Sequence, residues 1–512
     1  MTLVLALLFV QLATAGTGTE QRSPAFIEFQ KAGALWFHTG NGAGLVLDGL
    51  KGFSMLEASY KTTNGDFKRV QEGDKENVIG FLAEGGQQLG KSYAWGQFAY
   101  NNVTVRDSRF NTAMLDPFCG VPFYPVDPNV SDWKKQNYNL QMKVASRPLW
   151  EKILLGIQAD YFVHTGAKQV DPRSEQYFYS LQVKPGVVAF FGDHQIGANF
   201  AYENTIRETR KHTNSNNQVD QPVFVMKGLG NHYTSVIGGL QSLGSFHYKG
   251  NLLGGELQYA YAVSSIKFLL NGGYTSKVET VIRDISKPRK EGTLKEEKIY
   301  ANLAAVAQTD DLHRIDFSYA KDKVKGIEFV QVLDLTYEVQ QWVDVYSSIR
   351  STYEQDQMSF AYTYYKGTDN AYLWKAGLTA DYLLNDDLYI MPQSLMKIKN
   401  LYAGVNGGIN IKAGKNSLLT VGADVIYKHN MDGKYVYGGA DPQSVVITQF
   451  MTPDFEYLTQ SFYKIGGQVN FFTAFGKEKK SGVYVKLAAD YYKPVKEEGN
   501  RILASFGLGF TF

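Results

Sequence analysis

The chain has 512 residues, a formal net charge of +2 and a mean hydropathy of -0.26, with 34 Tyr, 31 Phe and 50 Gly but one Cys. The near-neutral charge argues against nucleic acid as a partner, and the lone Cys119 rules out an internal disulfide framework. Beyond the first residues no segment approaches 18 uninterrupted apolar positions, which excludes helical membrane spans and leaves strands open.

In chain order, the apolar run from Thr2 to Ala15 closes on Ala13-Thr14-Ala15, a small-x-small cleavage pattern, and reads as a signal peptide over 1–15. It is shorter than the roughly 20 residues that span a bilayer. It lacks a basic leading region, and no cysteine follows to carry a lipid anchor. Residues 16–42 are expected to form a periplasmic segment, too short for the plug of a TonB-dependent receptor. Within it Ser23 in the N-cap position and Pro24 at the first helical position predict a short helix to about Leu35. Asn41-Gly-Ala-Gly-Leu45 is read as leading into the first strand of a domain spanning 43–512.

From there the pattern is alternation with a period of two. Ile315, Phe317 and Tyr319 share a face opposite Arg314, Asp316 and Ser318. Leu419, Val421, Ala423, Val425 and Tyr427 oppose Thr420, Gly422 and Asp424. Val483, Val485, Leu487, Ala489 and Tyr491 oppose Lys486 and Asp490, and Ile299, Ala301 and Leu303 oppose Lys298 and Asn302. A soluble antiparallel sheet alternates equally well. Here the strands recur without a helical covering layer, and a polar face turned to a wide lumen needs no second sheet. The fold class is therefore all-β: a transmembrane antiparallel up-and-down barrel of about 20 strands, with 18 to 22 open. Seven strands are expected before residue 210 and eleven after 294. Three candidates lie between, at 231–248, 251–264 and 266–283, where parity requires an even number.

Tight connections are expected at Gly90-Lys91, Arg147-Pro148, Gly192-Asp193, Asp310-Asp311, Gly414-Lys415 and 477–482. Long polar ones are expected at 63–75, 107–136, 166–176, 208–230, 284–295, 384–396 and 430–458. The most unusual loop runs from Asp116 through Phe118, Cys119, Phe123 and Tyr124 to Pro128 and on to Trp133. Four prolines stiffen it. Its aromatics could line a constriction or take a ligand or partner, or simply pack over the barrel mouth.

The last strand, 503–512, sets Ala504, Phe506, Leu508, Phe510 and Phe512 on one face and Ser505, Gly507, Gly509 and Thr511 on the other. In a soluble sheet it would be an exposed edge; in a barrel it closes the wall. The spacing of Ser505, Gly507, Phe510 and Phe512 resembles the C-terminal signal read by the barrel assembly machinery.

Little in the chain looks catalytic. Nucleophile-elbow, zinc-protease and phosphate-loop motifs are missing, so the chain is not read as an enzyme, and no cofactor or metal is implied. His212, His232 and His247 fall around one predicted loop, where haem or metal ligation is the sharper reading and solvated histidines the simpler one.

Asn41-Gly-Ala-Gly-Leu45, Gly80-Phe-Leu-Ala-Glu-Gly85 with Lys91 and Trp95-Gly96, Asp116-Pro-Phe118 and Asp171-Pro-Arg173 stand in an order that resembles an uncharacterised outer-membrane barrel family of Bacteroidota, a domain of unknown function. The usual first motif has Ala where this chain has Gly42. The resemblance implies a barrel in the outer membrane of a diderm cell, placed beside TonB-dependent uptake of a nutrient such as iron or haem.

Two functions are expected from these readings, with a barrel enzyme as a remote third. The first is a channel or uptake barrel for a small solute, with Arg314, Asp316, Asp424, Lys486 and Asp490 as lumen candidates. Their mixed signs fit a neutral pathway. The second is a non-conducting accessory subunit whose loops, with Asp116, Phe118, Phe123, Tyr124 and Trp133 as candidates, dock a TonB-dependent receptor or surface lipoprotein. Outer-membrane lipid and the assembly machinery are the remaining expected partners.

Overall fold

A computed structural model describes residues 22–213, 220–237, 243–284, 287–336, 340–368, 371–476 and 480–512; the expected signal peptide lies outside them. Eighteen antiparallel strands, each paired to its neighbours in the chain, form one sheet, and the last strand pairs with the first to close it. Arg501–Thr511 lies between Phe53–Gly65 and Ser481–Pro494, so the terminal strand has no free edge.

Alternation along the wall sorts the faces. Ile315, Phe317, Leu487, Phe506, Leu508 and Phe510 stand exposed on the outside. Gly509 faces inward because the ring of Tyr484 crosses it: a Cβ there would meet that ring at 2.2 Å. The Tyr484 hydroxyl donates to Glu57 at 2.8 Å, tying the last strands to the first.

The strand number is 18 rather than 20, and the middle region explains the parity conflict. Asn231–Ile237 leaves the wall and pairs with Gln221–Gly228, which in turn pairs with Pro125–Val126 in a small separate sheet. Phe246–Val263 and Ile266–Arg283 are the two wall strands of that region. Nine strands follow, not eleven, because two of them are very long. Leu312–Asp334 has 23 residues and Gln341–Thr368 has 28, where about 9–11 suffice to span a bilayer.

The same lengthening shortens several expected loops. The supposed loop at 384–396 is strand as far as Tyr389, and Ser394 already opens the next one. Past its neighbouring strands the long pair exposes both faces, as at Val343, Asp344, Val345 and Tyr346. The ladder therefore persists where the alternation of sequence has ended.

Two further expectations are corrected. Asn41 to Leu45 does not enter a strand: Gly42–Asp48 is a 3-10 helix, and the wall begins at Phe53. Trp133 is not a loop residue; it belongs to Ser131–Ala145 and packs on Val103 and Val105.

The predicted helix is Pro24–Gly33, with Ser23 Oγ accepting from the Phe26 amide at 3.2 Å. It lies inside the lumen at the end of the short turns. Ala25, Leu35, Trp36 and Ala43 pack there against inward wall residues Leu154, Val188, Leu269, Val306 and Leu312.

Candidate functional site

The inner face of the wall changes character along its length. In Ile266–Arg283 the inward positions run from Leu269 through Asn271, Gly273, Thr275, Lys277 and Glu279 to Val281; in Arg289–Gln308 they run from Leu294 through Lys298, Tyr300 and Asn302 to Val306. An apolar belt at each end therefore brackets a polar middle. Each belt is covered by chain folded into the lumen.

At the short-turn end the cover is the segment Pro24 to Asp48. Its helix ends leave carbonyls without partners, and the wall supplies cations to them. Arg314 donates to Ala32 O at 2.8 Å and Ala34 O at 2.9 Å while its other nitrogens hold Asp316. Lys143 donates to Phe37 O at 2.6 Å and Thr39 O at 2.8 Å. Lys31 pairs with Glu84 at 2.5 Å, and Glu28 pairs with Lys375. Within the segment Asp48 accepts from the amides of Leu35, Trp36 and Phe37. Burial outweighs those donors and raises its carboxyl to about 6.

Asn41 is fully buried and donates to Val187 O, Ala198 O and Gln258, while its own oxygen accepts from Ala43 N. The glycines around it allow backbone to touch backbone. A Cβ on Gly156 would lie 2.2 Å from Ala43 N, and one on Gly42 2.6 Å from Ile157 O. The motif is thus a fitting against the wall.

At the opposite end three stretches meet: residues 109–130, the hairpin 221–237, and the helical turns Ile447–Met451 and Thr452–Thr459. Phe110 stacks on Phe450 with ring centres 5.1 Å apart. Phe123 is fully buried against Gly292, and its carbonyl accepts from Tyr248 at 3.0 Å. Ion pairs pin two of the stretches to the wall, Lys168 with Asp127 at 3.1 Å and Lys227 with Glu291 at 3.1 Å, and a third, Arg69 with Asp454 at 2.5 Å, ties the helical turns to the connection after the first strand.

Between the covers lie two adjoining cavities of about 330 and 440 Å³. They share His38, Thr39, Asn271, Asn302 and Ser318, and together make a chamber. Among the described residues Lys184, Asn271, Lys298, Asn302, Ser318 and Gln357 line it without a hydrogen-bond or ion-pair partner. Lys184, Lys298 and Arg314 are matched by Glu256, Asp316 and Asp381, so the lining carries no net sign. His38 faces the chamber within the enclosing barrel, and that enclosure, with Arg314 adding, lowers its imidazole to about 4. It is neutral at pH 7.

The predicted lumen residues are all on the inner face but do not form one site. Arg314 and Asp316 hold the N-terminal segment. Asp424 and Asp490 meet several strands further round the wall through Lys464, each at 3.1 Å, where Gly466 leaves room for both carboxylates. Lys486 makes no ion pair among the described residues.

Of the loop candidates, Phe123 and Tyr124 are buried in the outer cover. Asp116, Phe118 and Trp133 border a further cavity of about 440 Å³ with Lys61, Phe67 and Lys135. Phe118 lies under the Arg69 guanidinium at 4.1 Å. Burial raises the Cys119 thiol. His232 bonds Gly230 O and His247 bonds Ser245; the side chain of His212 lies outside the described residues. Among the described residues no group of three His, Cys, Asp or Glu could hold a metal.

Sequence reasoning missed Lys143, Asn271 and Gln357, and named Asn41 and Asn302 without giving them a role in the site. The available signal was a lapse of alternation at strand ends, as in Leu269-Leu270 and Val281-Ile282, where an apolar inward residue needs a cover.

The sequence model of DUF6850, a family of unknown function, matches residues 42–512. No curated protein matches the chain. Among solved structures it is similar to the ferric preacinetobactin receptor BauA from Acinetobacter baumannii (9% identity, TM-score 0.40, covering 90% of this chain and 80% of that one). It is also similar to OccK3 (OpdO) of Pseudomonas aeruginosa (11%, 0.35, 90% and 95%) and to a TodX deltaS2S3 mutant monoaromatic hydrocarbon channel (9%, 0.33, 98% and 97%). At these values the barrel is read from its own strand order.

Proposed function

The chain belongs to the DUF6850 family, and we propose that it is an outer-membrane uptake barrel for a small solute, gated at both ends of its lumen. The outward apolar face supports the membrane reading, because a closed barrel presenting Phe506, Leu508 and Phe510 outward suits lipid. The observation that carries the gated reading is the unpaired polar chamber between two covers. A barrel that serves only as a sealed scaffold has no need of such groups; of the six only Asn271 is buried and Gln357 is exposed, so they stand open to whatever fills the chamber.

Planar-bilayer recording tests this. The wild-type barrel is expected to show no steady current. A full-length variant loosened at both ends, Lys143→Met with Arg314→Ala and Glu291→Ala, is expected to conduct in bursts. Steady current through the wild-type barrel would remove the gates. A loosened variant that keeps heat-modifiable migration yet stays sealed would favour the second reading.

That second reading is a non-conducting accessory subunit. Residues 328–334 and 341–350 support it: they ladder with each other beyond the point where both neighbouring strands stop pairing, and side-chain bonds such as Lys290 with Asp344 and Tyr389 with Glu328 hold their base. The ribbon exposes Val330, Val332, Val345 and Tyr346, an apolar surface suited to a TonB-dependent receptor or surface lipoprotein. Co-purification of such a protein from native membranes, lost on removal of the ribbon, is the result it requires.

A further inference from the structure

We propose that the chamber is a binding site for a small neutral polyol of monosaccharide to disaccharide size, held through its vicinal hydroxyls. The inference rests on the reading of the chamber as the compartment through which solute passes.

The lining is chemically narrow. Asn271, Asn302 and Gln357 each offer a carboxamide, with a donor and an acceptor side by side. That pairing matches two adjacent hydroxyls, one accepting and one donating. Thr275 and Ser318 add hydroxyls that work in either sense. Lys184 and Lys298 can donate to further hydroxyls, and Glu256 can accept from them.

Other solute classes fit less well. An anion would meet Glu256, Asp316 and Asp381, and a cation would meet Lys184, Lys298 and Arg314. An apolar solute would leave six polar side chains buried and unpaired. The two cavities, about 330 and 440 Å³, lie within the range of roughly 300–1,000 Å³ that holds small ligands. A site built to bond hydroxyl groups discriminates strongly against analogues that lack them.

The test is equilibrium dialysis of the full-length protein in lipid nanodiscs against radiolabelled maltose, glucose, phosphate and L-lysine. Retention of a sugar, with phosphate and lysine passing freely, is expected. Asn302→Ala and Gln357→Ala should each weaken sugar retention roughly fivefold, the effect of one lost hydrogen bond. Asn302→Ser, which keeps a hydroxyl, should lose less and guards against misfolding of the alanine variant. Preferential retention of phosphate or lysine would overturn the proposal. So would no sugar retention, which would mean a chamber filled only by water, or retention indifferent to both alanine variants. Sugar retained by a barrel whose gates never open would uphold the site and sink the transport reading; gates that open on a chamber retaining no sugar would do the reverse.

Discussion

At the short-turn end the lumen is filled by one stretch of chain, Pro24 to Asp48, which continues into the first wall strand through residues 49–52. At the far end three stretches fill it, each rooted in the wall on both sides and packed on one another through Phe110, Phe123, Val225 and Phe450. The difference is mechanical. A segment that packs as one continuous stretch can loosen as a unit once its hydrogen bonds through Arg314, Lys143 and Asn41 are exchanged for water. Loops rooted on both sides can only rearrange, and their buried ion pairs resist that. The inner cover is therefore the better candidate for a moving gate and the outer one for a selective lid.

Breaking the outer cover should cost most. Lys168→Met would leave Asp127 charged and buried beside Thr112, a loss of about 3–5 kcal/mol when one partner of such a pair is removed. Limited proteolysis should then cut within 109–130, while the segment 24–48 stays protected. Lys143→Met should act at the inner end alone. Two carbonyls lose a charged donor at about 1.5–3 kcal/mol each, and amide exchange should quicken over residues 35–48. Gly44→Ala drives a methyl to 2.1 Å from the Trp36 ring, and overpacking of this kind costs about 1–3 kcal/mol. The same amides report it.

The smallest effect is one of pH. Asp48 has its carboxyl raised to about 6 in the folded segment, so the folded state holds the proton more tightly than the unfolded one. Its contribution is fully present below the unfolded value near 4 and is lost as pH rises through about 6. Protection factors over residues 35–48, with the intrinsic base-catalysed rise in exchange divided out, should accordingly fall between pH 4 and 6, and Asp48→Asn should flatten that fall.

Much of the wall was legible because lipid and lumen impose opposite demands on alternate residues. Arg314, Asp316, Asp424 and Asp490 point inward as their alternation with Ile315, Phe317 and Val425 requires. The helix over Pro24–Gly33 followed from Ser23 and Pro24. The hairpin 221–237 was not legible, because Asn231–Ile237 is a β-prone run that reads on into the true wall strand at Phe246; only the parity of the count marked the region. Asn41 to Leu45 was misread for a different reason. Small residues that permit close packing of backbone leave no periodicity, and their partners at Gly156, Val187 and Ala198 lie more than a hundred residues away. The chamber was half visible: Lys298 and Asn302 were placed on a polar face, but what covered that face was not.

The central claim, that the N-terminal segment seals the chamber and can be loosened without opening the wall, is tested most directly by thiol accessibility. Ser318→Cys in a Cys119→Ser background places a single reporter in the chamber, and Lys91→Cys in the same background places one at a short turn. With reagent supplied from the short-turn side, the turn reporter should react at once and the chamber reporter slowly, with Lys143→Met and Arg314→Ala together making the chamber reporter fast. A chamber cysteine that reacts as quickly as the turn cysteine in the otherwise wild-type barrel would contradict the seal.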